Sequence, residues 1–126
     1  MKKKRDIQTV KEIEIFVDTF YSSVRNDDLL GSIFSDSIGD NWPSHLRKMY
    51  TYWENVLLYN YKPSDSKYSS HSDMLLNKIH YDRWIQLFEE TVDQNFEGPI
   101  AEKALQKARK MIEIYSFKSA YYKGNF

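Results

Sequence analysis

No cysteine occurs anywhere in this chain of 126 residues. That excludes disulfides, thiolate metal sites and cysteine nucleophiles in one step. An excess of one charge is also missing, because 18 basic residues stand against 18 acidic ones. Nucleic-acid and membrane-surface roles both call for a dominant basic footprint, so neither partner is expected. No apolar run approaches the ~20 residues of a membrane span, and no apolar signal core follows the N-terminus. The expected compartment is the cytoplasm. There is no Gly-rich phosphate loop and no nucleophile elbow. Three histidines without clustered carboxylates make a poor di-iron site.

Aromatic residues are in surplus: ten Tyr, seven Phe and three Trp. In a small protein such a surplus means a bulky core or a pocket for a flat ligand. The length suits one domain over residues 1–126, able to bury roughly two-thirds of its unfolded surface. The basic start, Met1-Lys2-Lys3-Lys4-Arg5, reads as a solubilising, frayed arm over residues 1–8.

Helical periodicity runs through most of the chain. Thr9-Val10-Lys11-Glu12 fits a capping box, with a hydroxyl at the cap and a carboxylate three residues on. Val10, Ile13, Val17, Phe20 and Val24 then form one apolar face, and Asn26-Asp27-Asp28 ends it. Leu29 to Phe34 reads as a short, turn-rich apolar segment, and Asp36 to Asp40 as loop. A second helix starts near Pro43, capped by Asp40 or Asn41, with His45, Met49, Tyr52, Trp53 and Val56 on one face. Residues 60–70 are polar and read as loop. A third helix runs from about His80, with Trp84, Ile85, Phe88 and Val92 inward, until Gly98-Pro99 breaks it. The last helix carries Ile100, Ala104, Leu105, Ala108, Met111, Ile112 and Tyr115 inward. No segment alternates as a strand does. The expected class is all-α, four substantial helices in two packed layers.

His71 has no ordinary reason to be where it is, on a short polar stretch between helices. That placement suits an axial ligand to a haem iron. Tyr21, His45 and Trp84 on inward helix faces suit the opposite side of such a haem. Each residue alone has a plainer reading: an exposed loop histidine, a half-buried histidine bonded to a carbonyl, and core aromatics. His80 reads as a helix-start residue rather than a ligand. His45 also has Arg47 and Lys48 beside it, as a phosphotransfer histidine would. A haem-free helical interaction module is the remaining alternative.

Taken in order, these residues resemble the group III truncated haemoglobins over nearly the whole chain, from about Ile13 to Tyr115. The match is carried by Phe20-Tyr21, Asp28 to Phe34, Trp42-Pro43-Ser44-His45, Tyr52-Trp53 and the isolated His71 with Met74 and Leu75 behind it. It is clearest at His80-Tyr81-Asp82-Arg83-Trp84-Ile85-Gln86-Leu87-Phe88 and on to Gly98, which looks like the family's penultimate helix. Ser32 stands where a proline is common, and the loop from Tyr61 to Ser70 lacks the usual glycine.

The resemblance implies a globin-like two-over-two helical sandwich around one haem b. It implies His71 as the proximal iron ligand, Tyr21 as the main distal donor, His45 as the distal histidine and Trp84 as a further indole donor. Phe20, Phe34, Met49, Trp53 and Phe88 would pack around the macrocycle or its ligand. The implied ligands are dioxygen and related diatomics, bound by a monomer. Tight retention favours reaction over bulk transport, as a nitric oxide dioxygenase or a peroxidase-like enzyme with a reductase as partner.

Overall fold

A computed structural model describes residues 4–59 and 76–122, with side chains described as far as residue 116. Among these residues there are five α-helices and no strand: α1 (Val10–Arg25), α2 (Gly31–Ile38), α3 (Trp42–Leu57), α4 (Lys78–Asn95) and α5 (Pro99–Tyr122). Helix α1 packs on α3 and α4 packs on α5, and the two pairs meet along α1–α4 and α3–α5. The fold is all-α, in two packed layers. Among the described residues, no helix is long and apolar enough to cross a membrane.

The first helix starts at the expected residue. The Thr9 hydroxyl accepts from the Glu12 N–H, and the Glu12 carboxylate accepts from the Thr9 hydroxyl and the Gln8 N–H. Its buried stripe is Ile13, Phe16, Val17, Phe20, Tyr21 and Val24, two residues wide at each turn. Val10, expected on that stripe, is exposed, and Phe16 takes a central place instead.

Residues 31–40 differ from the expectation of turns and loop. They form α2 and a 3-10 turn over Gly39–Asn41. No side chain caps α2 at Leu30. The start is fixed from outside: Asp27 accepts from the N–H groups of Leu29 and Leu30, at 3.1 and 3.0 Å. Gly31 sits so close to the end of α1 that a Cβ there would lie 2.6 Å from the Arg25 carbonyl oxygen. Asp27 also accepts from Arg83 Nε at 2.7 Å, which clips α4 onto the same corner. Helix α3 has Asn41 as its cap residue and Pro43 in its first turn, where a missing N–H costs nothing.

The inner part of the expected N-terminal arm is tied down. Ile7 is fully buried, and the Arg5 carbonyl accepts from the Glu97 N–H at 3.0 Å. The Asp6 carboxylate accepts from the N–H groups of Ile100 and Ala101, at 3.1 and 2.8 Å. A carboxylate from the start of the chain thus caps the first turn of α5. Gly98 permits this: its φ is +131°, and a Cβ there would lie 2.6 Å from Asp6.

Candidate functional site

Three helices aim their aromatic residues at a common centre. On α3 the buried positions Trp42, His45, Met49 and Trp53 follow at steps of three and four, one helical face. On α4 His80, Trp84 and Phe88 repeat every four residues. On α1 Phe20 and Tyr21 lie side by side on the buried stripe. Met49 and Phe34, from α3 and α2, are buried in the same core.

These residues touch in a continuous series of rings. Tyr21 meets His45 edge-on, with ring centroids 5.1 Å apart, and Trp42 contacts both. Phe20 contacts Tyr21 at 5.0 Å on one side and Trp84 at 4.9 Å on the other. Trp84 stacks on Phe88, which in turn meets Trp53 at 5.5 Å. Edge-to-face contacts dominate, as aromatic quadrupoles prefer. All the described candidate residues are therefore gathered in one buried cluster. His71 lies outside the described residues.

The polar atoms in this cluster are neutral. Burial pushes the Tyr21 phenol far above its ordinary value, and the neighbouring Tyr115 phenol adds to the push. Tyr21 therefore keeps its hydroxyl proton. Burial also lowers the His45 imidazole, with a further push from the Lys48 charge. A neutral imidazole offers one donor and one acceptor nitrogen. His45 Nε2 and Trp84 Nε1 are both shut off from solvent. Polar hydrogens in such apolar surroundings interact more strongly than they would in water.

A cavity of about 10 Å³ lies between α2, α4 and α5, with room for roughly one water. Its lining is Phe34, Leu76, His80, Tyr81, Trp84, Ile112 and Tyr115. Leu76 is five residues beyond His71 in the chain. An open polar groove of about 650 Å³ runs over another side of Tyr21, between α1, α2 and α3. There Arg25 lies 4.5 Å above the Trp42 ring. The Tyr50 hydroxyl donates to the Asp18 carboxylate at the same groove, and burial with that bond pushes the phenol up to about 12.

His45 is 7 % exposed, while Arg47 and Lys48 face solvent on other sides of α3. A phosphotransfer histidine must be reached by a donor protein, so that reading fails on burial. His80 does start a helix: it occupies the third position of α4, and its Nδ1 accepts from the Asn77 N–H at 2.9 Å. Among the described residues, no group of three or more His, Asp or Glu converges as a metal site. Trp42 and Tyr115 also belong here, beyond the residues expected at the site. The spacing of Trp42 three residues before His45, on one helical face, was the available signal for the first. Nothing local in the sequence marks Tyr115, whose phenol acts electrostatically on that of Tyr21 from α5.

No protein-family model matches the chain. It is 27% identical over 103 residues to a protein of Campylobacter jejuni described as group 3 truncated hemoglobin ctb, covering 79% of this chain and 81% of that one. The crystal structure of a group III truncated hemoglobin from Campylobacter jejuni superposes with a TM-score of 0.81 at 24% identity, covering 95% of this chain and 98% of that chain. The chain thus resembles the group III truncated haemoglobins in sequence, and its fold is the two-over-two truncated-globin sandwich.

Proposed function

We propose that this chain, whose fold is that of the truncated globins, binds one haem b and uses it to hold dioxygen and related diatomic ligands. The observation that carries this is the meeting of three neutral, buried donors from three helices. Tyr21 touches His45, and Phe20 joins Tyr21 to Trp84, in surroundings that are otherwise apolar. The donor set fits haem chemistry, and so does the cavity lining, which among the described residues offers aromatic faces and no carboxylate. Haem, when bound, supplies an iron centre that takes diatomic ligands. Ile112 and Tyr115 are half-buried beside the cavity, while Phe88 and its ring neighbours are buried in the core.

His71 is the residue proposed to ligate the iron. His45 belongs to the donor cluster, and the Nδ1 of His80 is occupied by the Asn77 N–H. Leu76, a short way along the chain from His71, already lines the cavity. The Tyr21 hydroxyl and the Trp84 indole would donate to a bound diatomic ligand, with His45 on α3 held against the Tyr21 ring. Phe20, Phe34, Met49, Trp53 and Phe88 exclude water and hold the rings in register. Each donated bond is worth about 1–1.5 kcal/mol, roughly a factor of ten in ligand release. Two such bonds favour retention over delivery. The finer reading is therefore a reactive role in nitric oxide oxidation or peroxide activation, with a reductase supplying electrons.

His71→Ala tests the assignment. Haem content after purification should fall sharply, and added imidazole should restore part of it. Unchanged haem loading with an unchanged ferrous spectrum would exclude His71 as the ligand. A colourless wild-type protein that takes up no haem would favour the haem-free interaction module.

A further inference from the structure

The donor cluster makes no use of His80, although this side chain is only 8 % exposed and lines the cavity beside Trp84. Its geometry fixes its chemistry. Nδ1 accepts from the Asn77 N–H at 2.9 Å, and the His80 N–H donates to the Asn77 carbonyl at 3.0 Å. A ring nitrogen that accepts a hydrogen bond carries no proton, so the neutral ring bears its proton on Nε2. The ring is therefore a donor through Nε2, with its Nδ1 edge turned to the backbone, and it lines the cavity. It stands in the first turn of α4, an 18-residue helix whose positive dipole end favours negative charge. The rest of the described lining is apolar or aromatic, with no Asp, Glu, Lys or Arg.

We propose that His80 Nε2–H binds a carboxylate of the porphyrin, so that this corner recognises a flat apolar ring bearing an anionic oxygen. The inference rests on the haem reading. It makes His80 a binding residue that orients the macrocycle, with Asn77 as the residue that holds His80 in its donor form.

Metal-free protoporphyrin IX and its dimethyl ester separate the two claims, because neither offers iron to His71. The full-length apoprotein is titrated with each and binding is read by porphyrin fluorescence. The wild type should prefer the free acid by about tenfold, the value of one charge-assisted hydrogen bond. His80→Asn keeps an acceptor for the Asn77 N–H and loses the distal donor, so the preference should largely vanish while binding of the ester is unchanged. His80→Gln places an amide N–H near the Nε2 position and should keep most of the preference. A wild-type preference in His80→Asn would overturn the assignment, and so would equal binding of both porphyrins by the wild type; either result leaves the haem reading standing. Failure of the wild type to bind either porphyrin would overturn both.

Discussion

Asp27 and Tyr21 stand six residues apart at the end of α1, and each is a buried polar group that brings helices together. They do so by opposite means. Asp27 keeps its charge and spends it inside the protein, on two backbone N–H groups and the Arg83 guanidinium. Burial acts strongly to raise its carboxyl, yet the Arg83 bond and the Leu30 and Leu29 N–H groups outweigh it and hold the group below its ordinary value. Tyr21 stays neutral and is surrounded by the edges of Phe20, Trp42 and His45. The Asp27 corner is built to fix the positions of α1, α2 and α4. The Tyr21 cluster is held by ring contacts, which tolerate a change of occupant more readily than a saturated ionic knot does. The corner fixes the frame, and the cluster is where a ligand can be received.

Removing the corner should produce the largest effect on the fold. Asp27→Ala strands two backbone N–H groups and the guanidinium partner. Hydrogen bonds to charged groups are worth about 1.5–3 kcal/mol each. Arg83 is 35% exposed and can turn to water, which reduces the total to about 3 kcal/mol. Urea unfolding at pH 7 measures it. A loss below about 1 kcal/mol would show that α4 is held elsewhere and that the contrast with Tyr21 is false.

Asp6 at the start of α5 is a second corner of the same kind, and Gly98 is its weak point. Gly98→Ala must place a Cβ at φ +131° and 2.6 Å from the Asp6 side chain. Backbone strain and the displaced cap together should cost about 2 kcal/mol. An alanine variant as stable as the wild type would mean that Asp6 does not hold the turn between α4 and α5.

These two corners also show which parts of the molecule were legible in the sequence. Helices α1, α3 and α4 were, because Thr9, Pro43 and the stripes around Phe20, Met49 and Phe88 are local signals. The gathering of Tyr21, His45 and Trp84 in one core followed from those stripes. Helix α2 was not legible, because its start is capped by Asp27 from the preceding turn and its register depends on the contact of Gly31 with Arg25. Nor was the seating of Asp6, whose partners lie 94 and 95 residues away. Periodicity reports what a segment does with its own face. It is silent on a carboxylate delivered from a distant part of the chain.

Tyr21→Phe probes the other side of the comparison. The ring contacts with His45, Trp42 and Phe20 survive, and only the hydroxyl is lost. Oxygen release from the haem-loaded protein should become about tenfold faster, while the stability of the folded protein changes by less than about 1 kcal/mol. Trp84→Phe should act in the same direction, and the double variant should be non-additive if both donors reach one ligand atom. Stopped-flow displacement provides the rates. Off-rates unchanged in both single variants and in the double variant would place the distal donors elsewhere.

The smallest effect concerns pH, and it separates a buried neutral group from a buried charged one. The folded value of His45 is lowered by burial and by Lys48, so the unfolded chain takes up the proton first as pH falls. The contribution of His45 is present above its ordinary value of about 6.5 and is lost below it, until the folded imidazole also protonates. Asp27 is lowered too, but its contribution is lost only at the acidic end of the carboxylate range. His45→Phe should therefore flatten the stability profile of the apoprotein just below about pH 6.5, by at most about 1.4 kcal/mol per pH unit. The two proteins differ only at residue 45, so the difference between the two profiles isolates His45. Parallel wild-type and His45→Phe profiles across that window would mean that the folded imidazole takes up its proton as readily as the unfolded one, and the case for a neutral donor beside Tyr21 would fall with it.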